Sequence, residues 1–170
     1  LPAYDDLYVK YSIVCGPDWQ VLSARQGIED GISQISKKTL YSGNSSVWNF
    51  PIDLSLKSTQ AHGWPRMVIS VYGLDALGRD VIRGYGMCHL PLVPGREQIN
   101  VPLFVPRAGS LFGQVFGILS GRLPEFVDPR FVANYDDRDF VRTESYGSVK
   151  ISVETVFKDF DKFYCFCYLL

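Results

Sequence analysis

The stretch from residue 47 to residue 95 constrains the fold more than any other part of this chain, because Gly and Pro repeatedly interrupt short apolar segments in it. Apolar and polar residues alternate from Val47 to Lys57 with Pro51 between them, which predicts an edge strand or a bulge. Two nearly continuous apolar runs of strand length follow, Met67–Tyr72 and Val81–Leu90. Strands spaced by about 8 to 12 residues with Gly and Pro between them are typical of an antiparallel β-sandwich.

Further strands are predicted on both sides of this stretch. The β-branched and aromatic residues of Leu7–Val14 indicate one strand, and the apolar residues of Ile99–Val105 indicate another. Residues Val149–Phe157 alternate most regularly, and they are predicted to pair with Phe140–Ser145 through a turn at Tyr146-Gly147. Strands along most of the chain predict an all-β fold.

The pattern changes near residues 109–134. Apolar residues recur there at helical spacing behind Ser110, which is a suitable N-cap. Asp128-Pro129 combines a second N-cap with a proline at the first helical position. We therefore expect one or two short helical insertions in the sandwich at this point.

The length of 170 residues suits one hydrophobic core, so residues 1–160 are predicted to form a single domain, followed by an apolar tail over residues 161–170. The first predicted strand begins only a few residues after Leu1. One interpretation is therefore that a further strand precedes this sequence. No apolar run approaches the roughly 20 residues of a membrane-spanning helix.

Charge and cysteine content exclude several classes of protein. The 17 Lys and Arg residues nearly balance 18 Asp and Glu residues, so the net charge of −1 gives no bulk attraction to nucleic acid or to anionic membranes. Cys15 and Cys88 are isolated, and Cys165 and Cys167 form only a Cys-x-Cys pair. This spacing fits neither a disulfide framework nor paired zinc ligands, so reduced thiols in the cytosol are expected.

No catalytic or metal-binding motif stands out. His62 and His89 each lack a second ligand at metal-binding spacing, and no Ser lies in a nucleophile elbow. Gly84-Tyr85-Gly86 begins like a phosphate-binding loop but lacks the third Gly and lies inside a predicted strand. Close backbone packing explains these glycines better. We expect no enzymatic activity, no catalytic residue, no metal and no cofactor.

The longer motifs resemble a known family. Asp6–Tyr11, Val47–Phe50 and Val71–Asp75 resemble the corresponding strands of C2 domains, and the whole run Tyr4–Pro106 is similar to the B9 domain family, whose members are C2-like proteins of the ciliary transition zone. The motifs that carry this resemblance best are Trp48–Asp53, Lys57-Ser58-Thr59, Gly63-Trp64-Pro65, Arg83–Gly86 and Pro94-Gly95-Arg96.

The resemblance implies a β-sandwich that functions by assembly. It implies a non-enzymatic adaptor that binds other B9 domain proteins within the Meckel syndrome (MKS), or tectonic-like, complex at the cytoplasmic face of the cilium base, including the transition zone, the basal body and the cytoskeleton. That complex supports ciliogenesis, the ciliary gate and Hedgehog signalling. Aromatic and Arg residues near turns are common interface anchors, so the partner-binding candidates are Trp64, Arg66, Arg83 and Tyr85. Replacing Trp64 and Arg66 together is expected to abolish co-purification with the other B9 proteins and to leave thermal unfolding nearly unchanged.

The resemblance also identifies a vestigial calcium loop. Calcium-binding C2 domains carry a carboxylate at the position of Gly73, which leaves only Asp6, Asp75 and Asp80 as possible ligands. Calcium affinity depends on the number of charged ligands, so no tight calcium binding is expected. The alternative function is calcium-independent, peripheral phospholipid binding in which Arg79 and Arg83 contact headgroups. Two Arg residues predict only weak membrane contact.

The tail carries a separate hypothesis. Cys165 and Cys167 lie in an apolar run, and acylation of these thiols would add membrane affinity. The alternative is that the tail packs on the sandwich or on a partner protein. The sequence leaves both open.

Overall fold

The computed structural model describes residues 5–22, 29–38, 45–75, 78–106, 130, 133, 143–158 and 167–169. Within these ranges the chain forms nine β-strands and no α-helix. The strands are β1 (Leu7–Val14), β2 (Trp19–Val21), β3 (Asp30–Ile32), β4 (Leu54–Ser58), β5 (Arg66–Leu74), β6 (Asp80–His89), β7 (Gly95–Pro106), β8 (Thr143–Thr155) and β9 (Cys167–Leu169). The predicted all-β fold is confirmed.

The strands form two antiparallel sheets. Six strands are ordered β3-β1-β5-β6-β7-β8, and the other three are ordered β2-β4-β9. Strand β1 pairs with β5 along its whole length, from Leu7 opposite Gly73 to Val14 opposite Arg66. This arrangement confirms the antiparallel sandwich that the strand spacing predicts.

The main hydrophobic core lies between the inner faces of the two sheets. Successive side chains of a strand point to opposite faces, so alternate residues enter this core. Leu54 and Leu56 of the smaller sheet are fully buried in one cluster with Ile69 and Val71 of the larger sheet. Full burial of such a side chain stabilises the fold by about 1.5–3 kcal/mol relative to leaving it exposed.

A second cluster covers the outer face of the larger sheet. Its buried residues include Tyr8 and Tyr72, whose rings stack with centroids 5.3 Å apart. Ala133, from the connection between β7 and β8, is fully buried in the same cluster. The Arg66 guanidinium donates to the Ala133 carbonyl, and Arg130 forms an ion pair of 2.6 Å with Asp30. The β7–β8 connection therefore contacts the outer face at these two residues.

Gly84 and Gly86 lie in β6 where β7 packs closely. A Cβ atom at Gly86 would lie 2.8 Å from Cγ1 of Val101 and 3.0 Å from Cδ2 of Leu103. A Cβ atom at Gly84 would lie 3.1 Å from Cβ of Leu103. Close packing thus accounts for these glycines, as the sequence predicts.

The strand predicted from Val47 is shorter than expected, because sheet pairing begins only at Leu54. Asn49 has a positive φ of 45°, and the indole of Trp48 donates to the Leu7 carbonyl at 2.9 Å. Positive φ departs from extended backbone, and Pro51 lacks the amide that a sheet hydrogen bond needs. Residues 47–53 therefore pack against the sandwich without pairing in either sheet.

The prediction of a hairpin turn at Tyr146-Gly147 is wrong. Strand β8 runs continuously through these residues and pairs with β7, with Ser148 opposite Pro102 and Ser145 opposite Phe104. Three steps on β8 thus match two steps on β7, which defines a β-bulge, and Gly147 has a φ of 91°. A hairpin turn and a bulge both favour Gly at positive φ, so the sequence signal was the same for both.

Two predicted regions lie mostly outside the described residues. Only Arg130 and Ala133 are described within residues 109–134, so the helical insertions stay a prediction. In the predicted tail, Cys167–Leu169 forms strand β9, which pairs with Leu54–Leu56 of β4. Cys165 lies outside the described residues, and acylation of either thiol stays a hypothesis. In the part of the chain that is described, no helix is long and apolar enough to span a membrane.

Cys88 gives a pH-dependent prediction. Burial raises the pKa of its thiol from the ordinary 9.0 to about 11. Above pH 9 the unfolded chain loses this proton while the folded chain keeps it, so stability falls as the pH rises toward 11. Between pH 9 and 11 the free energy of unfolding should therefore fall with pH in the wild type more than in Cys88→Ala. We expect the two slopes to differ by about 1 kcal/mol per pH unit. Urea titrations check this, and parallel pH profiles would contradict it.

Candidate interaction surface

The residues of the predicted calcium loop lie at one end of the larger sheet. Leu7 of β1 is opposite Gly73 of β5, and Leu74 is opposite Asp80 of β6. Asp6 and Asp75 directly adjoin these paired residues. The strand register therefore brings the predicted carboxylates to the same edge, and the contacts of each one decide what they can bind.

Asp75 is held by Arg79 within the β5–β6 loop. The backbone amide and Nε of Arg79 donate to the two carboxylate oxygens of Asp75, each at 2.8 Å, and Nη2 forms an ion pair at 2.8 Å. The amide of Asp75 donates in turn to the Arg79 carbonyl at 2.9 Å. The Arg79 guanidinium thus pairs with the carboxylate that a calcium ion would need. The same contact uses the guanidinium that is predicted to bind lipid headgroups.

The two carboxylates directly before β1, Asp5 and Asp6, also have partners within the chain. Lys37 Nζ lies 3.4 Å from Oδ1 of Asp6. The Asp5 carboxylate accepts from the backbone amides of Lys38 at 2.8 Å and Asp6 at 3.0 Å. These hydrogen bonds, led by that from Lys38, lower the pKa of Asp5 and favour its charged form. Backbone amides therefore stabilise the Asp5 carboxylate, and the Lys37 ammonium pairs with the Asp6 carboxylate.

Gly73 is closely packed where the missing carboxylate would stand. A Cβ atom there would lie 2.7 Å from Cδ2 of Leu7 and 3.3 Å from Cγ of Arg83. The Arg83 stem crosses this glycine, and its Nη2 donates to the Leu74 carbonyl at 3.0 Å. Arg83 is thus used within the fold at this edge. Among the described residues, no three His, Cys, Asp or Glu side chains are grouped closely enough to hold a metal ion.

Restoring the carboxylate should destabilise the fold without creating a calcium site. We expect Gly73→Asp to lower the free energy of unfolding by about 2 kcal/mol, because it crowds Leu7 and buries a polar group. Leu74→Asn, at the more exposed neighbouring position, should cost much less. Asn serves as the control because an Asp there would face Asp80 on β6. Urea unfolding and isothermal titration with calcium check both statements. A stable variant with micromolar calcium affinity would contradict them.

Trp64 belongs to an aromatic group near the opposite end of the sheet. Its ring meets Trp19 edge to face at a centroid distance of 5.1 Å and approaches Phe157 at 6.4 Å. Its indole donates to the Leu90 carbonyl at 2.8 Å. The ring is only partly buried, yet it packs against the main core. Trp64 therefore closes the end of the sandwich.

The four predicted partner contacts do not form one surface. Trp64 packs on the inner face of the larger sheet, whereas Arg66 reaches across the outer face to Ala133. The Tyr85 side chain is 0% exposed, which places it in the outer-face cluster and away from an accessible surface. Arg83 lies at the far edge beside Gly73. Each of these side chains contacts its own fold, and partner binding by Trp64, Arg66 and Arg83, which are partly exposed, stays a prediction.

The two most exposed large apolar residues of the described part of the chain lie at the turn between β6 and β7. Leu92 is 64% exposed and Val93 is 69% exposed, and Val156 at the end of β8 is 48% exposed. Val156 follows Thr155, which is opposite Gly95, so it lies beside the same turn. We call Leu92, Val93 and Val156 the β6–β7 tip. In the sequence, this tip corresponds to two consecutive aliphatic residues between Pro91 and Pro94. Two residues are too few to show the alternation by which strands are predicted.

Comparison with known proteins gives consistent matches along the chain. The family model described as "Ciliary basal body-associated, B9 protein" matches residues 1–156. The chain is 48% identical to B9 domain-containing protein 1 of Xenopus laevis over 95% of this chain and 80% of that protein. It is 45% identical to the Homo sapiens protein of that name over 95% of this chain and 78% of that protein. It is 31% identical to B9 domain-containing protein 2 of Rattus norvegicus over 92% of this chain and 86% of that protein. No solved structure matches.

Proposed function

The chain belongs to the B9 family of ciliary basal body-associated proteins, and from this membership we propose that it is a non-enzymatic adaptor that assembles with other B9 domain proteins. The assembly proposed is the MKS, or tectonic-like, complex at the cytoplasmic face of the ciliary transition zone. Its role there is to support ciliogenesis, the ciliary gate and Hedgehog signalling. The observation that carries this proposal is the family match over residues 1–156.

The relatives also suggest the kind of partner. The chain resembles both B9 domain-containing protein 1 and B9 domain-containing protein 2, at 45–48% and 30–31% identity respectively. These identities favour a role like that of protein 1, beside a partner that carries a similar sandwich. The family resemblance implies three B9 proteins that associate with one another, so protein 2 and the third B9 protein are the proposed partners.

The contacts at the calcium-loop edge support assembly over ion-triggered membrane binding. Asp75 is held by Arg79, and Asp6 lies beside Lys37. The alternative function, phospholipid binding through Arg79 and Arg83, gains no support from these contacts, because both side chains are engaged within the fold. The exposed apolar residues are compatible with a protein contact.

Co-expression with the other two B9 proteins tests the proposal. We expect the chain to co-elute with them in size-exclusion chromatography, equally in calcium and in a chelator, because no ion is needed. An unrelated C2 domain of similar size serves as the negative control. Separate elution of the chain from both B9 proteins, with all three folded, would contradict the adaptor role.

A localisation experiment tests the cellular part of the proposal. The tagged chain should concentrate at the ciliary base, and its removal should reduce cilium formation and Hedgehog-dependent transcription. A tagged chain that is uniformly cytosolic in ciliated cells, while it still binds B9 proteins in vitro, would contradict the proposed site of action.

A further inference from the structure

The β6–β7 tip is the most exposed apolar feature of the described residues. Leu92 and Val93 have the highest exposed fractions among the large hydrophobic side chains there. Leu90 and Pro91, directly before them, are buried. The chain therefore leaves the core and presents two aliphatic side chains side by side. Contiguous exposed apolar side chains commonly mark a protein contact.

Hydrogen bonds and backbone geometry hold this tip in place. The Leu90 amide donates to the Pro65 carbonyl at 3.1 Å, and the Leu90 carbonyl accepts from the Trp64 indole at 2.8 Å. Gly95, where β7 begins, has a φ of 130°, a conformation that other residues rarely adopt. A tip ordered before binding loses less conformational entropy when it meets a partner. The Gly63-Trp64-Pro65 motif thus positions the tip.

The charges around the tip are of mixed sign. Arg96 is opposite Glu154 on the neighbouring strand, and Glu97 and Lys158 add one charge of each sign. Two cationic and two anionic side chains leave no net field to attract an anionic membrane or nucleic acid. An apolar centre within a rim of mixed charge has the anatomy of a protein–protein interface.

We propose that the β6–β7 tip packs against an apolar surface of another B9 domain and forms the centre of the interface between the two proteins. This inference rests on the proposed function and adds the surface that performs it. Leu92 and Val93 supply the apolar anchors, while Arg96 and Glu154 lie on the polar rim. A standard interface buries about 800 Å² on each side, so neighbouring polar residues of β7 and β8 complete the contact.

The chain offers a matched control at the other side of the larger sheet. Ile32 and Ile35 are 59% and 53% exposed, so their replacement removes a similar amount of exposed apolar surface. Ile32 lies opposite Lys10 on β1, far along the sheet order from β7. A partner that binds the tip should tolerate changes at this position.

The test compares Leu92→Ser/Val93→Ser with Ile32→Ser/Ile35→Ser in binding to purified B9 domain-containing protein 2. We expect the tip variant to bind on the order of 30-fold more weakly, because two partly exposed aliphatic side chains lose their burial in the complex. The control variant should bind like the wild type. A single Val93→Glu variant should weaken binding by at least as much. Thermal unfolding verifies that each variant is folded.

Several outcomes would overturn the inference. Wild-type affinity of the folded tip variants would do so, as would an equal loss of affinity in the Ile32→Ser/Ile35→Ser control. Tip-dependent self-association of the chain alone, or tip-dependent flotation with anionic vesicles without B9 binding, would assign the tip to another use. If the wild type binds neither of the other B9 proteins, the proposed function itself fails, which distinguishes the two failures.

Discussion

Replacing Gly63 by Ala is expected to lower the free energy of unfolding by about 3 kcal/mol or more. Gly63 has a φ of 70°, and a Cβ atom there would lie 2.5 Å from the Cα of Gly16 and 2.9 Å from its amide nitrogen. Both neighbours are backbone atoms and cannot rotate away. The same contact includes the hydrogen bond from the Gly16 amide to the Gly63 carbonyl, at 2.8 Å. The substitution should therefore separate the two loops and loosen the adjoining Trp64.

Gly78 provides a control for backbone strain alone. Its φ of 74° nearly equals that of Gly63, but a Cβ atom there would meet nothing within 4 Å. Gly78→Ala should therefore cost only about 1 kcal/mol, the usual strain of a non-glycine residue in this conformation. Each kcal/mol lowers the midpoint of thermal unfolding by about 2–4 °C at this chain length. Equal losses in the two variants would show that the Gly16–Gly63 contact contributes nothing.

Replacing Trp64 by Ala should destabilise the protein by about 3 kcal/mol. The sequence alone predicts little effect of this residue on thermal unfolding. The variant loses the edge-to-face contact with Trp19, the approach to Phe157 and the hydrogen bond to the Leu90 carbonyl. Because Leu90 precedes the β6–β7 tip, partner binding should also weaken. The loss of binding is then a consequence of a displaced tip, since Trp64 packs mainly on its own core.

Trp64→Phe separates packing from hydrogen bonding. Phe keeps an aromatic ring but cannot donate to Leu90, so we expect an intermediate loss of about 1–2 kcal/mol. Denaturant titration measures stability, and the affinity for B9 domain-containing protein 2 is measured on the folded fraction. A Trp64→Ala variant that keeps wild-type stability and loses all binding would contradict this role and would restore Trp64 as a direct contact.

The central strands could be predicted from the sequence because each carries its own local signal. The β-branched and aromatic run Leu7–Val14 matches β1 at both ends. The apolar runs predicted at Met67–Tyr72 and Val81–Leu90 correspond to β5 and β6 within two residues. Most residues of these strands are buried, so their apolar side chains indicate a buried strand without knowledge of its partner.

Non-local pairing could not be predicted in the same way. Gly147 favours positive φ, but only the register of β7 against β8 decides whether this makes a turn or a bulge. Strand β2 has three residues and is defined by pairing with β4, from Trp19 opposite Ser58 to Val21 opposite Leu56. Neither element has a pattern long enough to identify it before its partner is known.

The candidate surface shows a similar division. The strand register brings Asp6, Gly73, Asp75 and Asp80 to one edge, and the calcium-loop ancestry of this edge stays a prediction. The sequence could not show that Arg79 holds Asp75. Aromatic and Arg residues were expected to form the interface, yet Tyr85 is fully buried. Exposure of a short aliphatic turn such as Leu92-Val93 depends on the packing of neighbouring strands, which composition does not report.

The affinity of the purified chain for B9 domain-containing protein 2, measured with calcium and with a chelator, tests the central claim most directly. If the sandwich functions by apolar protein contact, the wild type should bind equally well in both conditions, and Leu92→Ser/Val93→Ser should bind on the order of 30-fold more weakly in both. Binding that requires calcium and is indifferent to the tip variant would contradict the account.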